Sequence, residues 1–136
     1  MDTDATRALV EAFLEARANN DASTIDSLVS DDVHWALPVG TQMESHSGRE
    51  AVVAALTGGA AGHLLKMETI KRTVNRLVVD GDTAVAFQQL TAELVNGGTY
   101  ENEYAWRYTC ADGKVTRLDE YVDTLHAFRQ MGLLDA

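Results

Sequence analysis

The residues best equipped for chemistry lie near the C-terminal end of the chain. In the segment Lys114 to Asp123, Leu118, Glu120 and Val122 alternate with Asp119 and Tyr121. A strand puts residues i and i+2 on one face, so one carboxylate shares a face with two aliphatic side chains. Buried carboxylates are rare unless they are paired or at work. Burial between Leu118 and Val122 raises the pKa of Glu120 toward neutrality, the range that a general acid/base needs. The structural alternative is pairing with Arg107 or Arg117, or a place at the sheet rim. Upstream, Tyr100, Asn102, Tyr104, Trp106 and Tyr108 alternate with Thr99, Glu101, Glu103, Ala105 and Arg107. Tyr104 can donate a hydrogen bond to a substrate oxygen, and Asn102 can orient a carbonyl or a water. A tyrosine on a strand is also ordinary packing. The expected catalytic set is Glu120, Tyr104 and Asn102.

Helices come first and strands afterwards. Thr3 or Asp4 can cap a first helix with an apolar stripe through Ala5, Ala8, Leu9, Ala12, Phe13 and Ala16. A short helix carries Ile25, Leu28 and Val29, with Ser23 and Asp26 resembling a capping box. Val33 to Leu37 reads as a short strand stopped by Pro38, and Val39 to Ser47 as a polar loop. Gly48-Arg49-Glu50 opens a third helix, ended by Gly58-Gly59 and Gly62. Long strands are expected from Lys66 to Val79, Thr83 to Val95, Thr99 to Cys110 and Lys114 to Val122, with a closing helix after Asp123. Asp80-Gly81-Asp82, Asn96-Gly97-Gly98 and Asp112-Gly113 mark the turns. This order predicts an α+β fold: a curved antiparallel sheet with three N-terminal helices on one face, closing a cone around a pocket.

A two-residue turn at Gly97-Gly98 sets Glu93 opposite Asn102, Thr91 opposite Tyr104 and Gln89 opposite Trp106. The pocket is then lined by Phe87, Gln89, Thr91, Glu93, Trp106, Leu118 and Val122, with Trp35 as a further wall. A one-residue slip would exchange the β-strand faces.

The 136 residues suit one domain, 1–136, with a single core. The formal charge of −10 argues against nucleic acid, whose phosphates demand a basic face, and against an anionic membrane surface. Its simplest meaning is solubility. The lone Cys110 forms no internal disulfide and has no evident basic partner. His34, His46, His63 and His126 lack metal-ligand spacing, and the Gly58 to Gly62 run follows a helix rather than opening one, so it is not a phosphate cradle. No apolar run approaches the ~20 residues of a membrane span. The segment MDTDATRALVEAF is acidic where a signal peptide would be basic, so a cytoplasmic protein is expected.

The segments DDVHWALPVG, SGREAVVAAL, VVDGDTAVAF, Asn-x-Tyr-x-Trp-Arg-Tyr and Glu-Tyr-Val-Asp together resemble the SnoaL-like branch of the nuclear transport factor 2-like superfamily, from about Thr6 to Leu134. The resemblance implies a cone-shaped fold with an internal pocket, often dimerised through the convex sheet face. It spans isomerases, dehydratases, polyketide cyclases, epoxide hydrolases and non-catalytic binders. Ketosteroid isomerases place an aspartate base before the proline of an Asp-Pro-Val-Gly segment; here Leu37 precedes Pro38-Val39-Gly40. Phe13 stands where their tyrosine would be, and Tyr104 near their second aspartate, so the steroid-isomerase set is missing. Limonene epoxide hydrolases use an Asp-Arg-Asp set. Glu120 matches the last aspartate, but Gln89, Thr91 and Glu93 stand where the other two would fall. Phe13 and Leu37 would thus be pocket wall.

The function expected is a cofactor-independent acid/base enzyme on a small, mostly apolar organic substrate, of cyclase, isomerase, dehydratase or epoxide-hydrolase type. The alternative is a non-catalytic domain that binds a small ligand or a partner. A homodimer through the convex face, with Tyr121 and Val115 among charges, is also expected.

Overall fold

The computed structural model describes residues 1–40 and 43–134. Helix α1 (Thr3–Ala18) is capped by Asp2, whose side chain accepts from the Ala5 N–H at 2.8 Å, so the cap lies just before the expected Thr3 or Asp4. Its buried face runs through Thr6, Val10, Phe13, Leu14 and Ala16, then ends on Arg17. Spacings of three and four residues keep Arg17 on the same inward stripe as Phe13 and Leu14. Helix α2 (Ala22–Leu28) is capped by Asp21 rather than by Ser23. The chain passes directly into strand β1 (Val29–Ala36), then β2 (His46–Ser47) and helix α3 (Arg49–Ala54). A π-helical turn, Ala55–Gly59, follows, with Gly58 at φ 137°. Strands β3 (Lys71–Asp80), β4 (Thr83–Glu93), β5 (Thr99–Ala111) and β6 (Lys114–Val122) lead to helix α4 (Thr124–Met131).

The α+β architecture is as expected, but the sheet is mixed rather than wholly antiparallel. Its order is β2-β1-β6-β5-β4-β3, and β1 runs parallel to β6. Two packed clusters fill the inner side. The larger joins α1, α2, β1 and α3 to the middle of the sheet. The smaller joins Leu65, Leu90, Ala92, Leu94 and Tyr100 to Ala127 of α4. Tyr104 packs against both.

Register decides which side chains face inward. Between β5 and β6 the turn is Asp112-Gly113, both at positive φ (52° and 76°), as a two-residue hairpin requires. A bulge then shifts the pairing, from Cys110 opposite Val115 to Thr109 opposite Arg117. Beyond it Tyr108 faces Leu118, Trp106 faces Glu120 and Tyr104 faces Val122. The bulge also turns Val115 inward, fully buried, so Val115 is not on the outer face where simple alternation put it.

Between β4 and β5 the register differs from the expected one. The Leu94 N–H bonds to the Gly98 carbonyl at 2.8 Å, and Val95-Asn96-Gly97 form the loop, with Gly97 at φ 97°. An odd loop length exchanges the faces of one strand against the other. Gln88 therefore pairs with Tyr104, Leu90 with Asn102 and Ala86 with Trp106, while Phe87 pairs with Ala105. Phe87, Gln89, Thr91 and Glu93 lie on the outer face, away from the helices. Phe87 is 44% exposed, Gln89 donates to Glu101, and Glu93 reaches Lys66 at 3.6 Å.

Candidate active site

A cavity of about 120 Å³ lies between the two core clusters. At about 10–15 Å³ per water it has room for a small organic molecule. Leu56, Leu64, Met67, Ile70, Phe128 and Met131 make much of its wall apolar. Among the described residues lining it, Arg17, Arg72 and Glu120 carry charge; Gln88, Tyr100, Tyr104 and Thr124 are polar.

Glu120 reaches the cavity because β6 alternates and the bulge sets it opposite Trp106. Burial pushes its carboxyl up to about 7. Arg17 and the Trp35 indole N–H act in the opposite direction, favouring the charged form. Glu120 forms no ion pair within 4 Å among the described residues. It can therefore exchange a proton near neutral pH.

Arg17 arrives on the last turn of α1. Its guanidinium lies over the Trp106 ring, 4.7 Å from the centroid, in cation–π geometry. Trp35 packs against the same ring at 5.7 Å and carries His46 at 5.2 Å from its own centroid. Arg72, on β3, donates from Nη1 to the Arg17 carbonyl at 3.3 Å. Burial, and then the nearby Arg17 charge, push Arg72 down to about 9.

Tyr104 and Tyr100 share a hydrogen bond between their hydroxyls. Burial pushes the Tyr104 phenol well above its ordinary range, so it stays protonated at any working pH. Asn102 donates from Nδ2 to the Tyr100 hydroxyl at 3.3 Å and to the Asp123 carbonyl at 3.2 Å, and its Oδ1 accepts from the Glu103 N–H. Asn102 is thus buried behind Tyr100 and does not line the cavity, contrary to the role expected of it. It borders a separate polar recess with Asp123, His126 and Gln130.

Of the other expected pocket residues, Trp35, Leu37, Trp106 and Val122 line the cavity. Phe13 and Leu118 are fully buried behind it; Phe13 meets Tyr108 edge-on at 5.4 Å. Phe87, Gln89, Thr91 and Glu93 are excluded by the register. Arg17, Arg72 and Gln88 were absent from the expected set. Arg17 was detectable as the continuation of the α1 apolar stripe, and Gln88 as the cross-strand partner of Tyr104 once the loop length is known. His34 bonds to Ser47 at 2.6 Å and His126 to the Glu101 carbonyl at 2.8 Å, both away from the cavity. Burial pushes the Cys110 thiol up to about 11, which leaves it a poor nucleophile. No group of three or more potential metal ligands occurs among the described residues, and no helix among them is long and apolar enough to cross a membrane.

A family model described as a SnoaL-like domain matches residues 10–118. No curated protein matches the sequence. Solved structures share the fold at low identity. An NTF2-like protein from Burkholderia xenovorans LB400 is 22% identical, with a TM-score of 0.77 over 96% of this chain and 98% of that one. TerC, co-crystallised with polyporic acid, is 19% identical, with a TM-score of 0.80 over 94% and 98%. A LEH-like epoxide hydrolase from M. tuberculosis is 19% identical, with a TM-score of 0.73 over 95% and 90%.

Proposed function

The chain belongs to the SnoaL-like domain family, and from that premise we propose that it is a cofactor-independent acid/base enzyme acting on a small, mostly apolar organic substrate. Cyclisation, isomerisation, dehydration and epoxide opening all fit this equipment. The observation that carries the reading is Glu120, an unpaired carboxyl in an apolar cavity with its pKa raised to about 7.

Glu120 takes a proton from the substrate or gives one to a leaving oxygen. Tyr104 holds the substrate oxygen as a neutral donor. Either hydroxyl of the Tyr100–Tyr104 pair can donate to the other. In the order we favour, Asn102 donates to Tyr100, Tyr100 donates to Tyr104, and the Tyr104 proton is left for the cavity. Asn102 is then a positioning residue that acts through the two tyrosines. TerC was co-crystallised with polyporic acid, which supports a small-molecule site here. Glu120→Gln preserves shape while removing proton transfer, so turnover on an identified substrate should collapse while binding persists.

The second reading, a non-catalytic binder of a small ligand or partner, is favoured by Leu37 and Phe13, which are apolar where the isomerases of the fold carry catalytic groups. A homodimer and a cytoplasmic location belong to the same proposal. Across the outer face, Arg76, Phe87, Ala105 and Tyr121 form one cross-strand row. Phe87 and Tyr121 are 44% and 49% exposed. The row mixes apolar groups with Arg76, and Arg107, Glu101 and Glu103 share the face. A two-fold axis can set such a surface against itself with opposite charges matched.

A further inference from the structure

The charged groups in the mostly apolar cavity of this acidic chain are predominantly cationic. Two guanidinium groups and one carboxyl line it, and the carboxyl is half-neutralised near pH 7 by its own burial. Arg17 is 6% exposed, yet its Nε and Nη1 find no hydrogen-bond partner among the described residues. The Trp35 Nε1, on an indole only 6% exposed, has no partner at full hydrogen-bond geometry and is directed to the Glu120 carboxyl, whose charged form it favours. The Trp106 ring covers one face of the guanidinium and leaves its in-plane N–H groups for a ligand, and the Trp35 ring packs against the same Trp106. Buried donors are almost always satisfied, and a buried charge is normally paired. Arg17 is neither, and Glu120 forms no ion pair with it. Arg72 adds a second positive charge, pinned by its bond to the Arg17 carbonyl.

We propose that the substrate carries a carboxylate, which docks on the in-plane N–H groups of Arg17 with Arg72 reinforcing the field. The apolar body of the substrate then lies along Leu56, Met67, Ile70 and Phe128. A carboxylate fits this donor set better than a phosphate. One unpartnered guanidinium edge in a small chamber suits a single negative charge, whereas a phosphate presents more charge and more oxygens to satisfy. This inference rests on the cavity being the substrate site.

Titration calorimetry of the full chain with benzoate and with its neutral counterpart benzamide tests it. Benzoate should bind saturably, and benzamide about tenfold or more weakly. Arg17→Gln should abolish the preference by weakening benzoate alone; Arg17→Lys should retain part of it, since the charge survives without the guanidinium geometry. Arg72→Gln, on an edge strand, should reduce the preference less. Equal affinity for the two probes in the unmodified protein, or no saturable benzoate binding up to ~10 mM, would overturn the proposal whatever the variants do. Glu120→Gln separates this from the catalytic reading: it should leave benzoate bound while removing turnover. Loss of the anion preference therefore speaks against the carboxylate site, and unchanged turnover in Glu120→Gln against the enzyme.

Discussion

Asp119 and Glu120 are neighbours on one strand, and they face opposite sides of the sheet. Asp119 is 6% exposed and gripped by two arginines: Arg117 Nη2 at 3.1 Å from Oδ1 and Arg107 Nη2 at 3.3 Å from Oδ2. Both its oxygens are satisfied, and it joins β5 to β6 from outside. Glu120 faces a mostly apolar chamber with the Trp35 indole and the Arg17 charge nearby, and forms no ion pair within 4 Å among the described residues. Burial of a carboxylate therefore means two different things one residue apart. When donors surround it the burial is structural; when no ion pair forms the same burial tunes a proton.

Substitutions that separate the two carboxylates should break the comparison in opposite ways. The largest effect is expected from Glu120→Gln, which should lower kcat by about a hundredfold or more with KM little changed, in steady-state assays on an identified substrate. Next is Leu118→Ala, which truncates the fully buried residue behind the cavity and should cost about 2–5 kcal/mol in urea unfolding. Asp119→Asn comes third. It leaves Arg107 and Arg117 without their counter-charge, but both are nearly half exposed, so about 1–2 kcal/mol of stability is expected to go, with turnover nearly unaffected.

A pH series sharpens the contrast. The folded-state pKa of Glu120 is raised, from 4.5 to about 7. The stability linked to its proton is fully present below the unfolded value and is lost as pH rises through the folded one. Between about pH 4.5 and 7 the protein should lose up to about 3 kcal/mol through this group. In Glu120→Gln that loss should vanish, leaving the variant more stable than the parent at pH 8. Equal pH dependence of the two unfolding curves would contradict the assignment. The smallest effect concerns the outer face: Phe87→Asp should convert the proposed dimer to monomer in light scattering without altering the fold. A parent mass near 14.8 kDa at micromolar concentration would remove the dimer from the account.

The inward direction of Glu120 was legible because Leu118 and Val122 flank it at strand spacing and no partner strand is needed to see it. The faces of β4 were not. Asn96-Gly97-Gly98 fits a two-residue turn, but the loop that forms is Val95-Asn96-Gly97, and one added residue sends Phe87, Gln89, Thr91 and Glu93 outward and Gln88 inward. Loop length is a tertiary choice here, fixed in part by Leu94 pairing with Leu65. The bulge before Arg117 hid the burial of Val115 in the same way. Arg17 was readable from the 3–4 spacing of α1 but was not among the expected site residues. Only the structure shows that Trp106 receives it. The helices and their order were legible because apolar stripes are local signals, although the caps fall one or two residues earlier than expected, at Asp2 and Asp21.

Glu120 is held near neutrality by burial, which outweighs the opposing influence of Arg17 and the Trp35 N–H. Carbon-detected NMR of the Glu120 side-chain carboxyl across pH 3 to 9 tests it directly. A single titration centred near 7, absent from the Glu120→Gln spectrum, is the predicted result. A midpoint at the ordinary glutamate value, about 4.3, would contradict it.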